Sequence, residues 1–215
     1  MNKTAVLLTC FNRKKDTLKC LNQLFFLSQE IDVYVVDDNS SDGTSAAILK
    51  KHPDVHIIKG NGDLFWSRGM HLAWEHASKH KYDFYLWLND DVILYENCFD
   101  ELYACTNILS CKGIVSGIIE TADKSKIIYG GTDRQRNIIK PNGHLQQITN
   151  MNGNVVLIPS AVFEKLGNLD PTFHHDLGDV DYGYRTQKEG FSVCSTRVVV
   201  GSGQVNDLCR MRLEN

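Results

Sequence analysis

No run of apolar residues in this 215-residue chain approaches the ~18 that a membrane span needs, and the opening MNKTAVLLTCFNRKK is too short in apolar residues for a signal peptide. A soluble, cytoplasmic chain is expected on that ground. The seven cysteines, at 10, 20, 98, 105, 111, 194 and 209, are odd in number and lack CxxC pairs or zinc-ligand spacing. Reduced, mostly buried thiols are therefore expected, not a disulfide framework. Positive charge is not in excess: the net charge is −3, and no basic stripe carries interleaved aromatics, which argues against nucleic acid as a partner. No GxGxxG follows the first apolar segment and no GxxxxGK[ST] occurs, which argues against a dinucleotide-dependent dehydrogenase and a P-loop NTPase. Repeats and low-complexity segments are missing as well.

What is present is an alternation. Ala5 to Thr9 is a short apolar run, and from Lys15 to Leu27 apolar residues recur at Leu18, Leu21, Leu24 and Phe25, the spacing of a helix face. Ile31 to Val36 reads as a second strand, followed by the turn cluster Asp37 to Thr44, which supplies caps for a helix from Ser45 to Lys51. Val55 to Ile58 is a third strand and Ser67 to Lys79 a helix. Phe84 to Leu88 has the composition of a core strand, Asn97 to Ser110 reads as a helix and Gly113 to Glu120 as a strand. Such alternation implies right-handed βαβ units and a mainly parallel sheet with helices on both faces. From Ile127 to Ile148 the pattern loosens around Gly130-Gly131 and Pro141-Asn142-Gly143, as expected of a small antiparallel edge insert. Asn154 to Ile158 is a further core strand, with Ser160 capping a helix from Ala161. A helix opening at Gly178 should end at Gly190, and Phe191 to Thr196 and Arg197 to Val200 are the last two strand candidates. A polar, peripheral tail follows Gly203.

Three acidic clusters fall at element ends: Asp37/Asp38, Asp90/Asp91 and Asp179/Asp181. Carboxyl ends of neighbouring parallel strands converge where open α/β sheets bind ligands, so the clusters are expected to share one crevice. Adjacent carboxylates need a cation or a donor beside them, and a divalent metal carrying a diphosphate would serve. Asn89-Asp90-Asp91 also reads, more simply, as the cap of a following helix. Asp181 lies four residues from Arg185 and can pair with it, which leaves Asp179 free, either as a partner of the helix dipole or as a general base. Trp66, Trp74 and Trp87 read as core or rim aromatics, and His71, His76, His80 and His144 as surface or helix-face residues. His174 and His175, in the loop before the last acidic cluster, suit a ligand or acceptor role as well as a bland one.

With those residues in place the chain resembles the inverting nucleotide-sugar glycosyltransferases of family 2, which have the GT-A fold. The resemblance runs through Thr9 to Arg13, VVDDNSSDGT at 35–44, GNGDLFWSRGMHLAW at 60–74, WLNDD at 87–91, MNGNVVLIPSAVFEKLG at 151–167 and GDVDYGYR at 178–185. Within the family the chain looks closest to bacterial rhamnosyltransferase-like proteins of polysaccharide assembly. The resemblance implies one domain over 1–215, with a nucleotide-binding part to about 110 and an acceptor-side part over about 111–205. It implies that Thr9 and Asp38 meet the nucleotide base, with Asp37 nearby and Arg68 on the same side. Asp90 would meet the ribose or waters of the metal, Asp91 would bind Mn²⁺ or Mg²⁺, Asp179 would be the base, and Asn152, Gly153 and Asn154 would line the acceptor side. The expected partners are a UDP-, dTDP- or GDP-linked sugar and a glycan or lipid-linked acceptor, the latter bringing the protein to the inner face of the membrane, with a second copy of the chain as a further candidate. Relatives often carry a metal-holding histidine near the position of Val200 to Gly203; here none follows 175, and His174 or His175 would have to substitute. Two other readings remain, a sugar nucleotidyltransferase and a nucleotide-binding assembly subunit without catalysis.

Overall fold

The computed structural model describes residues 2–28 and 30–204; the expectations for Cys209 and most of the tail lie outside them. In chain order the elements are β1 Thr4–Cys10, α1 Lys14–Leu27, β2 Ile31–Asp37, α2 Thr44–Lys51, β3 His56–Lys59, α3 Phe65–Ala77, β4 Phe84–Leu88, β5 Ile93–Leu94, α4 Cys98–Ile108, β6 Gly113–Thr121, β7 Ile127–Tyr129, β8 Gln146–Gln147, β9 Val155–Pro159, α5 Ser160–Leu166, α6 Gly178–Lys188 and β10 Ser192–Gly203. The strands form one sheet in the order β3-β2-β1-β4-β9-β6-β10-β5, with β7 on β6 and β8 on β10. It is parallel through β3-β2-β1-β4 and again between β6 and β10, while β9 lies antiparallel between β4 and β6. The 127–148 segment is the antiparallel edge piece that its turn signals imply.

The central strands are apolar on every residue because both faces are covered. In β1, Val6 and Leu8 pack with Leu21, Leu24, Ile48 and Leu102 of α1, α2 and α4, while the alternate residues Ala5 and Leu7 face Met70, Trp74, Val162 and Tyr182 of α3, α5 and α6. Burying both sets removes enough apolar surface to order the strands, and it brings the carboxyl ends of β1, β2 and β4 to one edge. The six described cysteines are free, and all but Cys111 are buried.

Local expectations needed correction in four places. Asn89-Asp90-Asp91 caps no helix: a turn follows, closed by Val92 N–H on Asn89 O (3.2 Å), and then the two-residue β5. The last two strand candidates are one 12-residue strand, β10. Its register slips between Ser195 and Val199, and the bend is held by Glu101, whose carboxylate accepts from Arg197 N (2.7 Å), Nε (3.1 Å) and Nη2 (2.7 Å). A charge inside an apolar run signals a turn, but here it answers a buried carboxylate. Ser160 makes no side-chain cap; it is the first residue of α5, and its N–H donates to Asp83 O (2.9 Å). Nor does the Asp37–Thr44 cluster cap α2 through its N-cap residue, which is Gly43 at φ 81°; Asp42 Oδ1 accepts the Thr44 N–H from just outside (3.0 Å).

Candidate active site

Because β1 and β4 are parallel neighbours, the residues just after them leave the sheet together. Arg13 follows β1 and lies against the carboxylates that follow β4, with Nη1 3.3 Å from Asp90 Oδ1 and Nη2 3.0 Å from Asp91 Oδ2. Asp90 is buried and also accepts from Thr17 Oγ1 (3.0 Å). Burial raises its pKa to about 6, with Arg13 working against that and Asp91 adding to it. For Arg13 burial disfavours the charge, but Asp90 and Asp91 outweigh it and leave the guanidinium more basic than usual. The cation that this acidic pair demands thus comes, in part, from the chain itself.

The turn after β2 divides its two carboxylates. Asp37 is fully buried and accepts from Ser40 N (2.9 Å), Ser45 Oγ and Lys59 Nζ (3.3 Å). Burial opposes its charge, yet these hydrogen bonds lower its pKa, and a carboxylate so enclosed holds the turn. Asp38 accepts from Gly62 N (2.7 Å), Leu64 N (2.9 Å) and Phe65 N (3.2 Å), so it fixes the loop that leads into α3. Thr9 packs beneath Gly69 of α3, where an added Cβ would lie 2.4 Å from Thr9 Oγ1. Arg68 donates from Nε to Pro171 O (3.2 Å), so part of its guanidinium holds the loop before α6.

That loop is strapped to α3 along its length. Ser67 Oγ donates to His175 O (3.0 Å), His71 Nδ1 lies 2.7 Å from Leu169 O, and Asn168 Nδ2 donates to His71 O (2.9 Å). His174 Nε2 sits 2.7 Å from Asp63 O, and both His174 and His175 pack against the Phe65 ring. These histidines lock two loops together. Among the described residues no group of three or more His, Cys, Asp or Glu side chains is arranged to hold a metal ion. Phe65 (φ 54°) and Leu177 (φ 70°) both take left-handed backbone where the chain enters α3 and α6, a strain typical of functional turns.

Trp66 joins the clusters. Its Nε1 donates to Asn89 Oδ1 (2.7 Å), beside Asp90, and its ring meets Trp87 edge-on at 5.8 Å. Gly153 lies on that ring so closely that a Cβ would come within 2.3 Å of Trp66 Cζ2 and Cη2. The Gly153 N–H donates to Asp179 Oδ2 (2.7 Å), and Val180 N–H to Asp179 Oδ1 (2.8 Å). Asn154 is buried, and its carbonyl accepts from Asn89 N (2.9 Å); Asn152 precedes Gly153 in the same segment. Burial raises the Asp179 pKa, with the two main-chain donors pulling against it. Asp181 pairs with Arg185 (2.8 Å), as their spacing implies, and Asp179 has no cationic partner among the described residues. A carboxylate that is only lightly held and more basic than usual suits a proton acceptor.

Asp91 can be tested as a metal ligand on its surroundings. Apart from Arg13 its carboxylate has no protein partner among the described residues, and it lines a recess of about 100 Å³ with Asp16, Lys19, Ser202, Gly203 and Gln204. The two carboxylates of this recess fit Mg²⁺ or Mn²⁺, which need only one or two when phosphates complete the shell, with Lys19 as a cation beside them.

Residues 5–162 match the family model described as "Glycosyl transferase family 2". The chain belongs to that family. A family 2 relative, the low-salt glycan biosynthesis hexosyltransferase Agl10 of Haloferax volcanii, is 23% identical over 177 residues, which cover 77% of this chain and 57% of that protein. The mannosyltransferase PcManGT from Pyrobaculum calidifontis, solved in complex with GDP-Man and Mn²⁺, superposes with a TM-score of 0.71 at 15% identity, over 95% of this chain and 57% of its own. GalNAc-T7, solved with UDP, GalNAc and Mn²⁺, superposes with a TM-score of 0.74 at 12% identity, over 96% of this chain and 45% of its own. The shared fold is GT-A, and the chain spans under two thirds of the length of each of these proteins. Among the described residues no helix is long and apolar enough to cross a membrane.

Sequence reasoning gave no site role to Arg13 or Thr17, and took Trp66 for a core or rim aromatic. Arg13 belongs to the motif after the first strand, but only the adjacency of β1 and β4 brings it to Asp90 and Asp91.

Proposed function

We propose that the chain transfers a hexosyl or deoxyhexosyl group from a nucleotide sugar to an acceptor hydroxyl with inversion. The observation that carries this reading is Asp179, a part-buried carboxylate of raised pKa held by the Gly153 N–H across Trp66 from the Asp90–Asp91 turn. In a single in-line displacement the acceptor oxygen attacks the anomeric carbon, its proton passes to Asp179, and the bond to the diphosphate breaks with its electron pair leaving on the nucleoside diphosphate. Residues to about 110 would hold the nucleotide, with Thr9 and the Asp38-anchored loop at the base and Asp90 toward the ribose, while Asn152, Gly153 and Asn154 present the acceptor. Asp91 would hold Mn²⁺ or Mg²⁺, which when bound supplies positive charge to the departing diphosphate.

A glycan acceptor is favoured by the glycan-building relative, and a lipid-linked one would bring the reaction to the cytoplasmic face of a membrane. Structural neighbours hold GDP- and UDP-based ligands with Mn²⁺, so both nucleotides belong in the test. Saturating UDP, dTDP or GDP with Mn²⁺ should raise the unfolding midpoint, by about 2.7 kcal/mol of stability at a hundred times Kd. Removing Mn²⁺ with a chelator, or substituting Asp91→Ala, should abolish the metal-dependent part of that rise in thermal-shift measurements. No response to any of the three nucleotides would end this reading.

A further inference from the structure

We propose that Arg13 is a built-in counter-cation that shares Asp91 with the metal, weakening capture of a bare divalent ion and strengthening capture of a metal-free nucleoside diphosphate. The inference rests on the nucleotide-sugar reading above. Arg13 occupies the N-cap position of α1, where a small polar residue would ordinarily cap, and its side chain makes no cap. Instead its carbonyl accepts from Thr17 N and Thr17 Oγ1 (both 2.9 Å), and that same hydroxyl also reaches Asp90 Oδ2 (3.0 Å). Thr17 therefore pins the Arg13 main chain and the Asp90 carboxylate to one point, and the guanidinium is delivered onto the acidic pair by the fold.

The Asp90 and Asp91 side chains are 7% and 10% exposed and that of Arg13 38%, so of the three groups Arg13 is the most open to a ligand. An ion that binds Asp91 meets a permanent positive charge 3.0 Å from Oδ2, and Asp16 Oδ2 lies 3.9 Å from that same Arg13 nitrogen. A diphosphate meets a planar fork with five N–H donors, only part of which Asp90 and Asp91 engage. A surface ion pair alone would give no reason for this arrangement, since such pairs contribute little. Two carboxylates this close to burial need a cation before any ligand arrives, and Arg13 meets that need without a metal.

The test uses the whole chain and reads binding, not turnover: calorimetric titration with Mn²⁺ alone, and with UDP, GDP or dTDP in chelator, for wild type, Arg13→Gln and Arg13→Lys. Arg13→Gln should bind Mn²⁺ roughly tenfold more tightly and metal-free nucleotide roughly tenfold less tightly, in the usual range of coupling between sites. Arg13→Lys, which keeps the charge and carries the test should the glutamine variant not fold, should leave Mn²⁺ binding near wild type and lose part of the nucleotide affinity. Unchanged affinities in a wild type that binds nucleotide would overturn the inference alone, as would a loss of nucleotide affinity with no gain for Mn²⁺. Wild-type silence toward all three nucleotides would remove the functional reading, and this inference with it.

Discussion

Asp179→Asn is expected to lower glycosyl transfer by roughly 10²–10⁴-fold, the usual worth of a general base, while nucleoside diphosphate affinity stays within about twofold. The carboxamide keeps an oxygen for the Gly153 N–H, now accepted at 2.7 Å, so the 151–154 segment should hold its position. What it loses is the capacity to take the acceptor's proton. Since burial raises the Asp179 pKa, wild-type transfer should fall on the acid side through a value above the ~3.9 of a free aspartate, and that limb should vanish from any residual activity of the variant. The stability sign is opposite. A carboxyl with a raised folded-state pKa stabilises the fold when protonated, and that contribution is lost as pH rises through the raised value. At neutral pH Asp179→Asn should therefore unfold no more easily than wild type. Initial rates, calorimetric titration and urea unfolding on one preparation decide the matter: a variant that binds nucleotide poorly yet transfers normally per bound donor refutes the role.

Gly153→Ala is expected to be nearly as damaging, although it adds one methyl group to a residue that carries no chemistry. The new Cβ would fall 2.3 Å from two carbons of the Trp66 ring. The ring is poorly able to yield, because Nε1 is bonded to Asn89 and its face is braced by Trp87. The strain of about 1–3 kcal/mol must then move the 151–154 segment, and with it the N–H that positions Asp179. A displacement near 1 Å at the reacting centre costs on the order of 10²-fold in rate. Nucleotide binding, proposed to lie across Trp66 from this segment, should change little. Trp66→Leu in the Gly153→Ala background removes the obstruction and should recover part of the transfer rate, measured as a double-mutant cycle. Wild-type kcat in Gly153→Ala would mean that the Gly153 N–H does nothing for the carboxylate.

The fold could be read along the chain wherever a strand is buried on both faces, since runs such as Ala5 to Thr9 and Phe84 to Leu88 carry no alternation that a turn or a helix could claim. Asp181 and Arg185 were legible for the same local reason, being one helical turn apart. The errors came from pairings that no local pattern encodes. Asp37 and Asp38 are adjacent and look equivalent, and only β3, carrying Lys59, and the loop at 60–65 turn one into a buried anchor and the other into a loop fastener. Arg197 looked like the start of a separate strand until Glu101, nearly a hundred positions earlier, accounted for its charge. Trp66, weighed as a core or rim aromatic, turned out to touch the Asn89–Asp91 turn and the 151–154 segment at once, because β9 enters the sheet against β4 and carries Asn154 to Asn89.

The strapping of the 168–177 loop to α3 bears on how this sequence can diverge. The main-chain donors at 62–65 answer to Asp38, and the next residues of the same helix, Ser67, Arg68 and His71, grip the segment that delivers Asp179. Drift in either stretch alone would shear a fastening that both halves depend on. In descendants of this gene, positions 63–71 and 168–175 should accordingly change in concert, and a lineage that acquires a new acceptor is expected to carry paired replacements in these two stretches while the strands beneath keep their residues.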